Sequence, residues 1–157
     1  MPITVSADGL ANVELITVLV DRNPIRKVLE YFPLGAVPSV SFRFKLEQAS
    51  PVRAALRTRD GAWHVGGTLV DSAGGGCTVA GATRNDGGWS RTLGTATCRL
   101  FPTSLPSSFP NSAVPGQADG SALTRLRVRV MHPMDIGLVG GIPAFYVNRL
   151  SVRDAQG

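Results

Sequence analysis

Val40-Ser41-Phe42-Arg43-Phe44-Lys45-Leu46 puts an apolar side chain at every second position and a polar one between. A helix cannot gather a period of two onto one face, whereas a strand with one buried and one solvated side produces it directly. The pattern continues downstream, where Val52, Ala54 and Leu56 alternate with Arg53, Ala55 and Arg57. Asp60-Gly61 then signals a tight turn, and Trp63 and Val65 are expected to resume the apolar face, so the segment reads as a hairpin. Upstream, Asn12 to Val20 is β-branched and apolar and is closed by Asp21-Arg22-Asn23-Pro24, where proline cannot donate to a ladder. Ile3 to Ser6 and Lys27 to Phe32 carry weaker forms of the same pattern. Short strands at this spacing predict a two-sheet sandwich of the immunoglobulin type over residues 1 to about 72.

Composition supports an all-β chain. Of 157 residues, 43% are hydrophobic and only 17% charged, with 18 glycines and 11 prolines. A helical bundle is richer in Ala, Glu, Lys and Leu, and this length suits one ordinary domain or two small ones. No run of about 18 apolar residues is present to span a membrane, and Met1-Pro2-Ile3 leads into strand-like sequence rather than a basic and then apolar leader. Two cysteines do not decide the redox compartment.

The net charge of +5 is uneven: residues 1 to 79 hold eight Lys/Arg against seven Asp/Glu, and residues 80 to 157 hold eight against four. Arg125, Arg127 and Arg129 alternate with Leu126, Val128 and Val130, which reads as a strand with one solvated face rather than as a nucleic-acid site of clustered Lys/Arg with interleaved aromatics.

Residues 80 to 121 are rich in Gly, Ser, Thr and Pro and lack periodicity, so they are expected to be a linker between two modules. Strand patterning returns in Arg125 to Met131 and in Ala144 to Val152. The expected organisation is therefore a sandwich at 1–79, a linker at 80–121 and a second, incomplete β module at 122–157. Unpaired edges in such a module favour association with another copy or chain.

The candidate site is Gly74-Gly75-Gly76-Cys77. Three glycines accept almost any backbone angle, so the cysteine beyond them is expected to be a mobile, accessible thiol on a flexible arm, as a carrier needs. Equally open is a plain Gly-rich loop in which Cys77 is incidental or paired with Cys98. A Cys77/Cys98 oxidoreductase is disfavoured by the lack of Cys-x-x-Cys and of a βαβ pattern. His64 and His132 lack the convergent partners a metal needs, and Met131 and Met134 read as gap-fillers, so no metal or cofactor is expected. No Gly-x-Ser-x-Gly elbow, phosphate loop, dinucleotide fingerprint or paired carboxylates suggest independent turnover.

The pieces Pro2-Ile3-Thr4-Val5-Ser6, Val13 to Val18 leading into Asn23-Pro24, Val40 to Leu46, Asp60-Gly61 and Gly75-Gly76-Cys77 resemble, in order, SoxY, the sulfur-carrier subunit of bacterial thiosulfate oxidation. His132-Pro133-Met134-Asp135-Ile136-Gly137 and Ile142-Pro143-Ala144-Phe145-Tyr146 resemble the start of its partner SoxZ. Both on one chain is similar to the fused SoxYZ-like carriers found beside quinoprotein alcohol dehydrogenases. The resemblance implies immunoglobulin-like sandwiches, a periplasmic location, and partners among sulfur-oxidation or quinoprotein dehydrogenase-associated proteins. It also implies that Cys77 is a covalent attachment site rather than a catalyst, with Gly74, Gly75 and Gly76 as its arm. The family's cysteine ends its chain, whereas Cys77 is followed by a long extension, so this arm is tethered at both ends. The alternative function is a non-covalent β-sandwich interaction module with structural cysteines.

Overall fold

A computed structural model describes residues 1–73, 76–77, 88–104, 123–133 and 135–153. Gly74, Gly75 and Met134 lie outside the described residues. By their internal contacts the residues form two units, Met1–Gly76 with Pro102–Arg125, and Cys77–Phe101 with Leu126–Gly157.

In the first unit the strands are β1 (Pro2–Ser6), β2 (Val13–Val20), β3 (Lys27–Tyr31), β4 (Ser39–Arg43), β5 (Ser50–Thr58) and β6 (Trp63–Val70). They make two antiparallel sheets, one of order β1-β4 and one of order β3-β2-β5-β6. In the smaller sheet Ile3 faces Phe42 and Val5 faces Val40. In the larger one Ile16 faces Leu56, Val18 faces Ala54 and Val20 faces Val52. These same-face apolar pairs meet in one core with Phe44 and Leu46, and Ile16, Val18 and Val20 have no exposed surface. Each such side chain contributes roughly 1.5–3 kcal/mol by leaving water. Val13 and Ile16 are both buried although three residues apart, because a β-bulge between Val13 and Leu15 resets the alternation.

The strand over Val40 to Leu46 forms as expected but its ladder ends at Arg43. Phe44 and Leu46 remain buried beyond it, with the Phe44 N–H donating to the Met1 carbonyl at 3.0 Å. The Asp60-Gly61 turn joins β5 to β6, with Gly61 at φ 85° and its N–H donating to the Thr58 carbonyl at 2.9 Å.

One expectation is reversed. Trp63 pairs with Arg57 and Val65 with Ala55, on the outer face of the sheet. The residues of β6 that continue the core face are His64, Gly66 and Thr68, opposite Leu56, Ala54 and Val52. With Arg57 opposite Trp63, even-numbered residues face inward on both strands, and two apolar side chains at odd positions at the start of β6 conceal this register. Trp63 and Val65 are therefore 53% and 68% exposed, and the Arg57 guanidinium lies 5.8 Å from the Trp63 ring centre.

The described part of the second unit holds one helical turn, α1 (Trp89–Thr92), and most of the pair β7 (Ala96–Thr103) and β8 (Leu123–Val130). Gly94 donates to the Met131 carbonyl and Met131 to the Thr95 carbonyl, each at 2.9 Å. Trp89 meets Phe145 edge-on at 5.2 Å. Thus residues 88–104, expected within a linker, contain a helical turn and a strand. The alternation of Cys98 and Leu100 with Arg99 and Phe101 is short and hidden among Gly, Ser, Thr and Pro. Conversely, Ala144 to Val152 was expected to be a strand, yet among the described residues its only ladder contact is the isolated bridge from Phe145 to Asp135. Apolar alternation makes a strand only where another strand receives its hydrogen bonds.

Candidate functional site

The site begins at the turn after β2. The Asn23 N–H donates to the Val20 carbonyl at 3.2 Å, closing the turn, and Arg22 N–H donates to Ser50 Oγ at 3.0 Å. Asn23 itself is 6% exposed. Its Nδ2 donates to the Lys45 carbonyl at 2.8 Å, and its Oδ1 accepts from the Glu47 N–H at 2.9 Å. The amide thereby fixes the backbone on both sides of Leu46, where the chain has left the β4 ladder and those groups need a partner.

Leu46 turns its side chain into the core and its backbone toward Gly76. A Cβ at position 76 would stand 2.2 Å from the Leu46 carbonyl oxygen, 3.0 Å from its carbon and 3.2 Å from its nitrogen. Only glycine fits so close an approach. Gly76, expected to supply freedom of movement, supplies close packing here.

Cys77 follows directly and is 3% exposed, which corrects the expectation of an accessible thiol. A glycine run signals conformational freedom without saying which backbone the last glycine rests against, and Leu46 is thirty residues away in sequence. Cys98, on β7, is exposed. The two cysteines are separate thiols, not halves of a disulfide. Chemically Cys77 offers one nucleophilic atom, effective as the thiolate.

Sequence reading did not single out Asn23 and Leu46 as parts of the site. Asn-Pro after a strand signals a turn, but burial of the amide depends on a segment more than twenty residues away. His64 lies on β6 and His132 is half-buried beyond β8. Among the described residues no group of three His, Cys, Asp or Glu could hold a metal ion. Among them, too, no helix is long and apolar enough to cross a membrane.

The fold and site thus define an all-β protein of immunoglobulin-like design, with a cysteine beyond the last strand of its sandwich. Residues 1–77 match the family model of the sulfur oxidation protein SoxY, and over this segment the chain is a SoxY-like sulfur oxidation protein. SoxY proteins are carriers rather than catalysts and act alongside other proteins of sulfur oxidation, and this is the role that the matched segment supports. No curated protein matches the chain.

Proposed function

We propose that the chain carries a sulfur-containing group covalently on the Cys77 thiol and presents it to partner enzymes. The observation that carries this reading is that the SoxY match ends on Cys77 itself. A thiolate is the one good nucleophile the segment offers, and an unperturbed thiol with a pKa of about 8.5 provides enough of it near neutral pH. The thiol is buried, so loading requires it first to become exposed.

On the same reading the protein works in the periplasm, and the segment from His132 to Tyr146 belongs to a SoxZ-like module on the same chain. Its partners include sulfur-oxidation enzymes or quinoprotein dehydrogenase-associated proteins. Copies self-associate through open edges such as β6, where Val65 and Leu69 are 68% and 71% exposed.

The burial of Cys77 favours a second reading, a non-covalent interaction module in which the cysteine is structural. Intact mass of protein isolated without reductant, before and after reduction, with peptide mapping of both cysteines, separates the two. A reducible adduct at Cys77, or its ready alkylation in the native protein, supports carriage. A Cys77 that carries nothing and resists alkylation until the protein unfolds overturns it.

A further inference from the structure

We propose that the arginine face of the β7–β8 pair docks a carboxylate-rich surface of a partner protein. Arg127 and Arg129 are exposed on one side of β8, while Leu126, Val128 and Val130 on the other side are half-buried. The Arg127 guanidinium carbon lies 5.4 Å from the centre of the Phe101 ring, which places Phe101 on the arginine side. Two residues before Phe101 on β7, Arg99 shares that side and is exposed.

This face differs from the first unit in how its charge is met. There, Arg53 Nη2 lies 2.7 Å from Asp21 Oδ2. Arg57 Nε lies 2.6 Å from Glu14 Oε1, an ion pair by distance although the N–H does not point along the contact. Among the described residues of the second unit the supply is smaller. They include six arginines, 91, 99, 127, 129, 149 and 153, and one carboxylate, Asp135, which is buried at 2%. Like charges side by side on a sheet face oppose pairing of the strands that carry them. A ligand that brings the missing carboxylates relieves this cost, and arginine's planar fork suits carboxylate recognition.

Geometry selects the occupant. Residues i and i+2 on a strand are about 6.8 Å apart, so the guanidinium groups span an extended acidic segment rather than converge on one small anion. A single-stranded nucleic acid would stack its bases on open aromatic faces, and Arg127 already covers Phe101. The partner's class rests on the sulfur-oxidation role of the family, not on the chemistry of Cys77, so this surface stands or falls separately from carriage.

The test uses the full chain and a fluorescein-labelled peptide of alternating Glu and Val, read by anisotropy at low and physiological salt. The double charge reversal R127E/R129E is expected to weaken binding by about tenfold or more, and Arg26→Glu, an exposed reversal in the first unit, to leave it nearly unchanged. The milder Arg99→Gln is expected to weaken binding by about two- to fivefold, and the double reversal to bind the matching Lys-Val peptide more tightly than the wild type does, which a merely unfolded sheet would not. Equal loss with Arg26→Glu, no gain for the Lys-Val peptide, or tighter binding of a short DNA duplex than of the acidic peptide would overturn the proposal.

Discussion

Gly76 rests against the backbone of Leu46 so closely that a methyl group at position 76 would meet the Leu46 carbonyl oxygen at 2.2 Å. The contact is backbone on backbone, so no rotamer change relieves it. It holds the glycine that precedes Cys77 against the end of the core strand.

Gly76→Ala is therefore expected to unseat the arm. Overpacking of this kind costs roughly 1–3 kcal/mol, and each 1.4 kcal/mol is tenfold in an equilibrium. Cys77 should react with iodoacetamide on the order of tenfold faster in the variant, measured by time-resolved mass spectrometry with exposed Cys98 as internal reference. An unchanged Cys77 rate would mean that burial of the thiol is maintained by contacts other than this one.

Asn23 holds the other half of the seat. Asn23→Ala removes both bonds to the backbone of Lys45 and Glu47 and leaves those groups unmatched in a half-buried place, at about 1–3 kcal/mol each before water re-enters. We expect a fall of about 2–4 kcal/mol in unfolding free energy by urea titration. Cys77 alkylation should also quicken, and less than additively with Gly76→Ala, because both act on one contact.

The sandwich was legible because its decisive strands are half-buried: Val40 to Leu46 and Val52 to Leu56 write the core face into every second residue. The seat was not, since it joins Asn23, Leu46 and Gly76 across long sequence separations, and a glycine reads alike whether it bends or packs. β7 was missed for a different reason. Seven of its eight residues are exposed, so burial imposes no strong alternation on the strand.

The parity of β6 gives a sharp contrast. Val18 has no exposed surface and Val65 is 68% exposed, although both are valines in strands of the same sheet. Val18→Ala is expected to cost about 1.5–3 kcal/mol from lost burial and the cavity left behind. Val65→Ala should stay within about 0.5 kcal/mol. Comparable losses in urea titrations of the two variants would place Val65 in the core and reverse the assigned face of β6.

The β5–β6 turn also makes an acid-sensitive contribution. Thr58 Oγ1 donates to Asp60 Oδ1 at 2.5 Å and the Ala62 N–H donates to the same oxygen at 3.2 Å. These bonds favour the ionised form and hold the carboxyl below its usual value of 3.8. A carboxylate with a depressed folded-state pKa stabilises above its unfolded value, and that contribution is lost as pH falls through the folded one. Asp60→Asn should therefore lower the thermal midpoint at pH 7, and the gap from wild type should narrow steadily below about pH 4. The measurement is a pair of melting curves at each pH, with the variant showing the shallower acid limb. A gap that stays constant down to pH 2.5 would mean that the turn is held by Gly61 and the backbone bonds, with no preference for the ionised Asp60.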